Sequence, residues 1–326
     1  MVLKKSNKSL VFASSFALLL SVTPIFAVAQ DSDIPQDIKD EINQSLSNSV
    51  NAITAFTSQN SVSSGHFSFD LPNEEDFEFD VFRIPYQYTF GEQNDSIRPF
   101  LAASIGNMRF TESYPDEEGG ETEDFSKVST WTFGLGGGIE WKALEKLTII
   151  PKMSFDYSHF KRRFDFNNQF SQEYLTPYDR DVFNTSVDIM TYSPSIKMVY
   201  DESFDCFDLK LWTKYAHLFN HGFHSKSSFL DVDAETGILQ NSVEGTAPLS
   251  ITAFNLPLSL RTFLVRTDIY HSARRALELG YFYEVGTELL FDTKETGTSI
   301  KELAIGVSYT VGEDFSGYSM TFGLDF

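Results

Sequence analysis

The chain closes on "GYSMTFGLDF", residues 317–326. Tyr318, Met320, Phe322, Leu324 and Phe326 fall on one parity, and Ser319, Thr321, Gly323 and Asp325 on the other. A period of two with one apolar and one polar face is the pattern of a β-strand exposed to two different media. A soluble domain ordinarily ends in a few loose polar residues. An aromatic last residue, in register with the apolar face, suits a strand that stands in lipid.

The same alternation runs upstream. "FRIPYQYTF" places Phe82, Ile84, Tyr86, Tyr88 and Phe90 on one face, and "WTFGLGGGIEW" does the same with Trp131, Phe133, Leu135, Ile139 and Trp141. Aromatics sit near the ends of such segments with aliphatics between, as in membrane strands flanked by aromatic girdles. The pattern predicts twelve strands, near 62–71, 77–90, 97–110, 129–142, 147–160, 185–200, 206–219, 246–254, 258–270, 277–291, 301–312 and 315–326. The connections 111–128, 161–184 and 220–245 are long and polar, and each follows an odd-numbered strand. Long loops on one side and an even strand count predict an all-β, 12-stranded antiparallel transmembrane β-barrel with both termini at one end. In "LSLRTFLVRTDIY" the apolar parity slips between Leu264 and Val265, which predicts a bulge.

The other end of the chain reads differently. Lys4, Lys5 and Lys8 precede an apolar run from Leu10 to Phe26, followed by Ala27-Val28-Ala29. That is the layout of a secretory signal peptide, with cleavage expected after Ala29. In residues 30–60, Ile34, Ile38, Ile42, Leu46, Val50, Ile53 and Phe56 recur at steps of four and three, one narrow helical stripe. The reading divides the chain into a signal peptide (1–29), an N-terminal helical segment in or beneath the lumen (30–60) and the barrel (61–326).

The formal charge of −21 becomes −24 once the three leader lysines are removed, which argues against nucleic acid as a partner. Cys206 is the single cysteine, so no disulfide forms within the chain.

The terminal alternation and aromatic resemble the signal read by the barrel-assembly machinery. The whole layout resembles the solitary autotransporter-type outer-membrane barrels, which look like an autotransporter translocator without a passenger. The resemblance implies a Gram-negative outer-membrane location, periplasmic termini, lipid and lipopolysaccharide as neighbours, and a pore or surface structural role with the helix in the lumen. Self-cleaving members use an Asn-Asn pair in the helix, whereas Asn43, Asn48 and Asn51 are isolated here and the Asn167-Asn168 pair falls in a loop.

Outward parity fixes inward parity. The lumen is expected to carry a basic arc of Arg83, Arg98, Lys142, Lys152, Lys197, Lys210 and Lys214. An acidic arc of Glu278, Glu284, Glu288 and Glu302 faces it. A porin-like channel with this transverse field is one alternative, and a rim-located outer-membrane hydrolase is the other. No G-x-S-x-G or H-E-x-x-H motif is present, and the chain is read as a non-enzyme without a cofactor. Glu112, Asp116, Glu117, Glu118, Glu121, Glu123 and Asp124 make an acidic loop without calcium-loop spacing, expected to be solvated. His217, His221 and His224 cluster without completing a metal site. The pairs Arg162-Arg163 and Arg274-Arg275 are expected at the outer rim, near lipopolysaccharide phosphates.

Overall fold

In a computed structural model the sheet closes on itself as a twelve-stranded antiparallel barrel. The strands are β1 (Val62–Phe69), β2 (Phe77–Thr89), β3 (Ile97–Tyr114), β4 (Asp124–Leu144), β5 (Leu147–Asp165), β6 (Ser186–Ser203), β7 (Asp208–Phe223), β8 (Asp233–Ala253), β9 (Leu256–His271), β10 (Tyr281–Asp292), β11 (Glu302–Gly312) and β12 (Phe315–Asp325). A single-turn helix, α1 (Ser272–Leu277), precedes β10. The structure describes residues 62–325 except 70–76, 93, 115–123, most of 169–182, 226–232, 278, 294–301 and 314. The expected signal peptide (1–29), the expected helical stripe from Ile34 to Phe56, Glu278 and Phe326 lie outside the described residues.

Closure is made by β1 and β12, with Val62 opposite Phe322 and Phe69 opposite Phe315. Pairing on both sides leaves no open strand edge, which a hydrocarbon medium requires. Both described chain ends sit at one rim, called the terminal end here, and the opposite rim is the loop end. At the terminal end, β8 and β9 are joined by Phe254 and Asn255, both at positive φ (55° and 62°). Two consecutive residues of that kind are what a tight hairpin turn matching the strand twist needs.

The strands extend further towards the loop end than the sequence pattern predicts. β4 and β8 each hold 21 residues and β5 holds 19. About 9–11 residues suffice to cross the hydrocarbon layer. The connections 111–128 and 220–245 therefore shrink to 115–123 and 224–232, with the rest of each built into the wall, whereas 161–184 changes little, to 166–185. β8 is the clearest correction, since it starts at Asp233 and not near residue 246. Its first half, "DAETGILQNSVEG", is polar and free of aromatics, so no lipid-facing signature marks it.

Two other expectations change. No bulge occurs at Leu264 and Val265, because β9 pairs with β10 without interruption from Leu258 to Asp268. The irregularity lies in β8, between Pro248 and Thr252. Leu277 belongs to α1 and Leu279 is buried before β10 begins, so neither faces lipid as part of a strand.

Candidate functional site

Two storeys make up the barrel wall. Towards the terminal end its outer face is a belt of exposed apolar side chains. On β4 the belt runs from Trp131 through Phe133 and Leu135 to Ile139 and Trp141, with Leu135 70% exposed. On β12 it holds Tyr318, Met320 and Phe322, whereas the alternate Ser319 and Thr321 are buried inside. Leu324 lies on the same strand parity, but its side chain is outside the described residues.

The lumen behind this belt is charged. Arg98 Nη2 lies 2.5 Å from Glu140 Oε2, and Gln87 Nε2 donates to the other oxygen of Glu140 at 3.1 Å. Lys210 Nζ stands 3.9 Å from Asp201. Lys197 is opposite Lys214 in the β6–β7 register, and its Nζ lies 4.4 Å from the Trp212 ring centroid. Trp212 donates its indole N–H to Glu244. Like charges placed directly across a strand pair repel, so the Lys197–Lys214 pairing does not serve the sheet itself. Arg83 donates to Ser104 Oγ at 3.3 Å. Asp156 and Ser104 converge over Gly134, where a Cβ would collide with both. The missing side chain lets the two polar groups fold down onto the wall.

Across the ring, Glu288 is buried and accepts from Arg261 Nε at 2.6 Å and also from Arg261 Nη2. Ser308 Oγ donates to Glu284 Oε1 at 2.6 Å and contacts Ser319 Oγ at the same distance. Lys142 and Glu302 sit on inward positions near the terminal rim. The described members of the two expected arcs lie on the inward parity, and Glu278 is outside the described residues. They are interleaved with counter-charges, Glu140 and Asp156 on the basic side and Arg261 on the acidic side.

Beyond the belt the pattern inverts. On β5 the outward residues change from Met153, Phe155 and Tyr157 to His159, Lys161 and Arg163. Inward residues change from Lys152 and Asp156 to Phe160, Arg162 and Phe164, all three buried. β2 has exposed Glu78 and Asp80 outside and buried Phe79 and Val81 inside. β9 has Arg266 and Asp268 outside, with Val265 and Ile269 inside. The Leu264–Val265 parity slip is this inversion, read along one strand.

The loop-half interior is a packed apolar core. Met108, Phe110, Val128, Phe160, Phe164, Val187, Ile189, Leu218, Ile238, Ile269 and Phe282 are all buried within it, with Phe160 at 2% and Leu218 at 1% exposure. The β5–β6 connection seals onto it. Phe183 contacts Phe164 and Phe166 with ring centroids 5.0 and 5.4 Å apart. Arg162, one of the arginines expected at the rim, points inward, bonds Ser126 Oγ at 3.2 Å and lies under the Phe183 ring. Asp124 is buried and accepts from the backbone N–H groups of Asn167 and Asn168 and from Asn168 Nδ2. It is therefore part of the seal and not of a solvated acidic loop. Asp116, Glu117, Glu118, Glu121 and Glu123 lie outside the described residues, as does the side chain of Glu112.

A family model described as the solitary outer membrane autotransporter beta-barrel domain matches residues 47–325. The chain belongs to this family. No curated protein matches. Among solved structures, the barrel is similar to the translocator domain of the autotransporter NalP from Neisseria meningitidis. The TM-score is 0.55 at 8% identity, over 95% of this chain and 98% of that one. It is also similar to the β domain of the Bordetella autotransporter BrkA, with a TM-score of 0.51 at 11% identity, over 82% of this chain and 100% of that one. The transport unit of AIDA-I from Escherichia coli gives a TM-score of 0.50 at 11% identity, over 90% and 100%. At such identities the likeness shows the fold alone; membership of the family marks the chain as an outer-membrane barrel of the autotransporter type.

The outer face of the loop half carries titratable side chains that the sequence did not group. His66 Nδ1 lies 2.9 Å from Asp80, His159 Nδ1 2.7 Å from Asp188, and His221 Nδ1 2.6 Å from Asp233. His217 Nε2 lies 3.5 Å from Glu235, and His224 Nδ1 3.9 Å from Asp188. The expected trio of His217, His221 and His224 is thus spread over separate carboxylates. Among the described residues no three His, Cys, Asp or Glu side chains form a set that would hold a metal ion. Arg274 is exposed on α1, and the side chain of Arg275 is outside the described residues.

Proposed function

We propose that the protein is a passenger-less autotransporter-type barrel with a surface structural role, closed by two barriers in series. The buried apolar core of the loop half carries this reading. A hydrated solute crossing the barrel would have to pass a layer in which Phe160, Leu218 and Ile269 are each almost fully buried, and an apolar constriction of that kind excludes water and ions.

The second barrier is the N-terminal segment 30–60, placed in the charged half. Asp31, Asp33, Asp37, Asp40 and Glu41 against the one Lys39 give it an acidic start. Arg83, Lys152, Lys197 and Lys214 on the lumen wall supply the opposite sign. Residues 1–29 act as the signal peptide, both termini lie in the periplasm, and the monomer inserts through the barrel-assembly machinery. Deleting Phe326 should lower its outer-membrane level, read by fractionation and immunoblot.

Planar-bilayer conductance tests the series arrangement. The full chain and a variant without residues 30–60 should both stay closed. Phe160→Ser with Leu218→Ser should open the barrel only when residues 30–60 are also deleted. A steady porin-like conductance from the full chain would contradict the reading. Full conductance from the double serine variant alone would remove the segment from the lumen.

A further inference from the structure

On β1, β2 and β6 to β8 the loop-half outer face carries histidine–carboxylate pairs. One sector differs. On β3, β4 and β5 the register puts Thr111, Lys127 and Arg163 in one row, with Arg109, Ser129 and Lys161 in the next. Arg109, Lys127, Lys161 and Arg163 are exposed on the outward parity and surround Ser129. Strands lie about 4.8 Å apart and same-face residues about 6.7 Å apart along a strand, so the four cations cover a patch the size of one lipid headgroup. Asp165 lies 3.1 Å from Lys127 Nζ and 3.2 Å from Arg163 Nε, and on the β2 side Asp80 stands opposite Arg109 and Glu78 opposite Thr111. Four cations on three adjacent strands, with these carboxylates along two edges, is an unusual concentration in a chain of net charge −21.

Arg109 has an opposite charge across the β2–β3 pair, but the other cations do not serve the sheet. Lys127 is directly opposite Arg163, and a like-charge cross-strand pair destabilises a sheet. Its height explains it. The row immediately below is Asn107, Trp131 and His159, and Trp131 opens the apolar belt that continues through Phe133 and Leu135. The four cations therefore stand where the hydrocarbon ends, at headgroup level, above an apolar column that acyl chains can cover. Arginine and lysine bind phosphate oxygens through charge-assisted hydrogen bonds.

We infer that Arg109, Lys127, Lys161 and Arg163 form a site for the phosphates of a lipid A-type glycolipid. The inference rests on the reading that the loop end meets the outer leaflet. The sector spans three strands, so it holds the headgroup of one lipid and leaves the histidine–carboxylate sectors free.

The experiment uses the full chain folded in detergent, with native mass spectrometry reading retained lipid and heat-modifiable gel migration confirming the barrel. The probes are bisphosphorylated lipid A, the same lipid without its phosphates, and phosphatidylglycerol. The native chain should retain bisphosphorylated lipid A. Arg109→Gln/Lys127→Gln/Lys161→Gln/Arg163→Gln should lose retention more than tenfold, to the level of the dephosphorylated lipid. His221→Gln/Asp233→Asn, on another sector, should keep it. If the quadruple variant does not fold, Arg109→Gln and Lys161→Gln singly should each lower retention severalfold. Unchanged retention in a folded variant, or equal retention of phosphatidylglycerol by the native chain, overturns the site. Orientation is tested apart from it. Cys206 is exposed in the turn between β6 and β7 at the terminal end. A membrane-impermeant maleimide should miss it on intact cells and label it after lysis. Labelling of intact cells would reverse the orientation while leaving lipid retention in detergent untouched.

Discussion

The two halves of this barrel are built from the same strands with opposite rules. In the belt half, Phe155 and Tyr157 face out while Lys152 and Asp156 face in. A few residues further along β5, Lys161 and Arg163 face out while Phe160 and Phe164 face in. The lower half is a membrane barrel, apolar outside and polar within. The upper half is a water-soluble barrel, polar outside with a packed interior. The sheet is continuous across the boundary, so what changes is the solvent on its outer face. The hydrophobic effect then selects which parity carries the apolar side chains.

Substitutions that respect one rule and violate the other break this comparison most directly. Leu218→Asp puts an unpaired charge into the loop-half core. It should cost more than 4 kcal/mol, the exceptional range for a single change, read as loss of the folded form in urea titration. Its strand neighbour Lys214, inward in the charged half, shows that an ionisable side chain is accommodated lower in the lumen. Phe160→Ala leaves a cavity and should cost about 3–5 kcal/mol. Leu135→Arg, in the middle of the belt, should cost about 2–4 kcal/mol, whereas Ser129→Gln on the same face of β4 should be close to neutral, because it lies beyond the hydrocarbon. At the low end stands the exposed Lys146–Glu202 pair at the terminal rim, with Nζ 2.5 Å from Oε1. The Glu202 carboxylate holds the Lys146 ammonium above its ordinary pKa, so the pair stays charged through neutral pH. Lys146→Gln should nonetheless leave the thermal midpoint unchanged, since solvent screens an exposed pair.

The lower half was legible in the sequence because lipid imposes one sign on every strand. Trp131 to Trp141, Phe82 to Phe90 and Tyr318 to Phe322 each announce a strand and its outward face. The lumen positions of Arg83, Lys152 and Glu288 follow from that parity alone. The upper half was not legible, because its outer face is as polar as a loop. Asp233 to Gly245 and Asp124 to Thr130 carry no lipid-facing signature, so their strands were hidden. The signal available was the parity slip at Leu264 and Val265, which marks the boundary and resembles a bulge when only one strand is considered. The basic sector also escapes linear reading. Arg109, Lys127, Lys161 and Arg163 come together only through the β3–β4–β5 register, and the Arg162-Arg163 pair that seemed a single rim feature splits across the wall.

Solvent accessibility along β5 tests the inversion most directly. Single cysteines at 153–164, introduced in a Cys206→Ser background and spin-labelled in lipid bilayers, can be probed with oxygen, which partitions into lipid, and with a water-soluble nickel chelate. Positions 153, 155 and 157 should respond to oxygen, positions 159, 161 and 163 to the chelate, and positions 160, 162 and 164 to neither. Chelate access at 160 and 164, or oxygen access continuing unchanged through 161 and 163, would show that the barrel keeps one rule along its whole length.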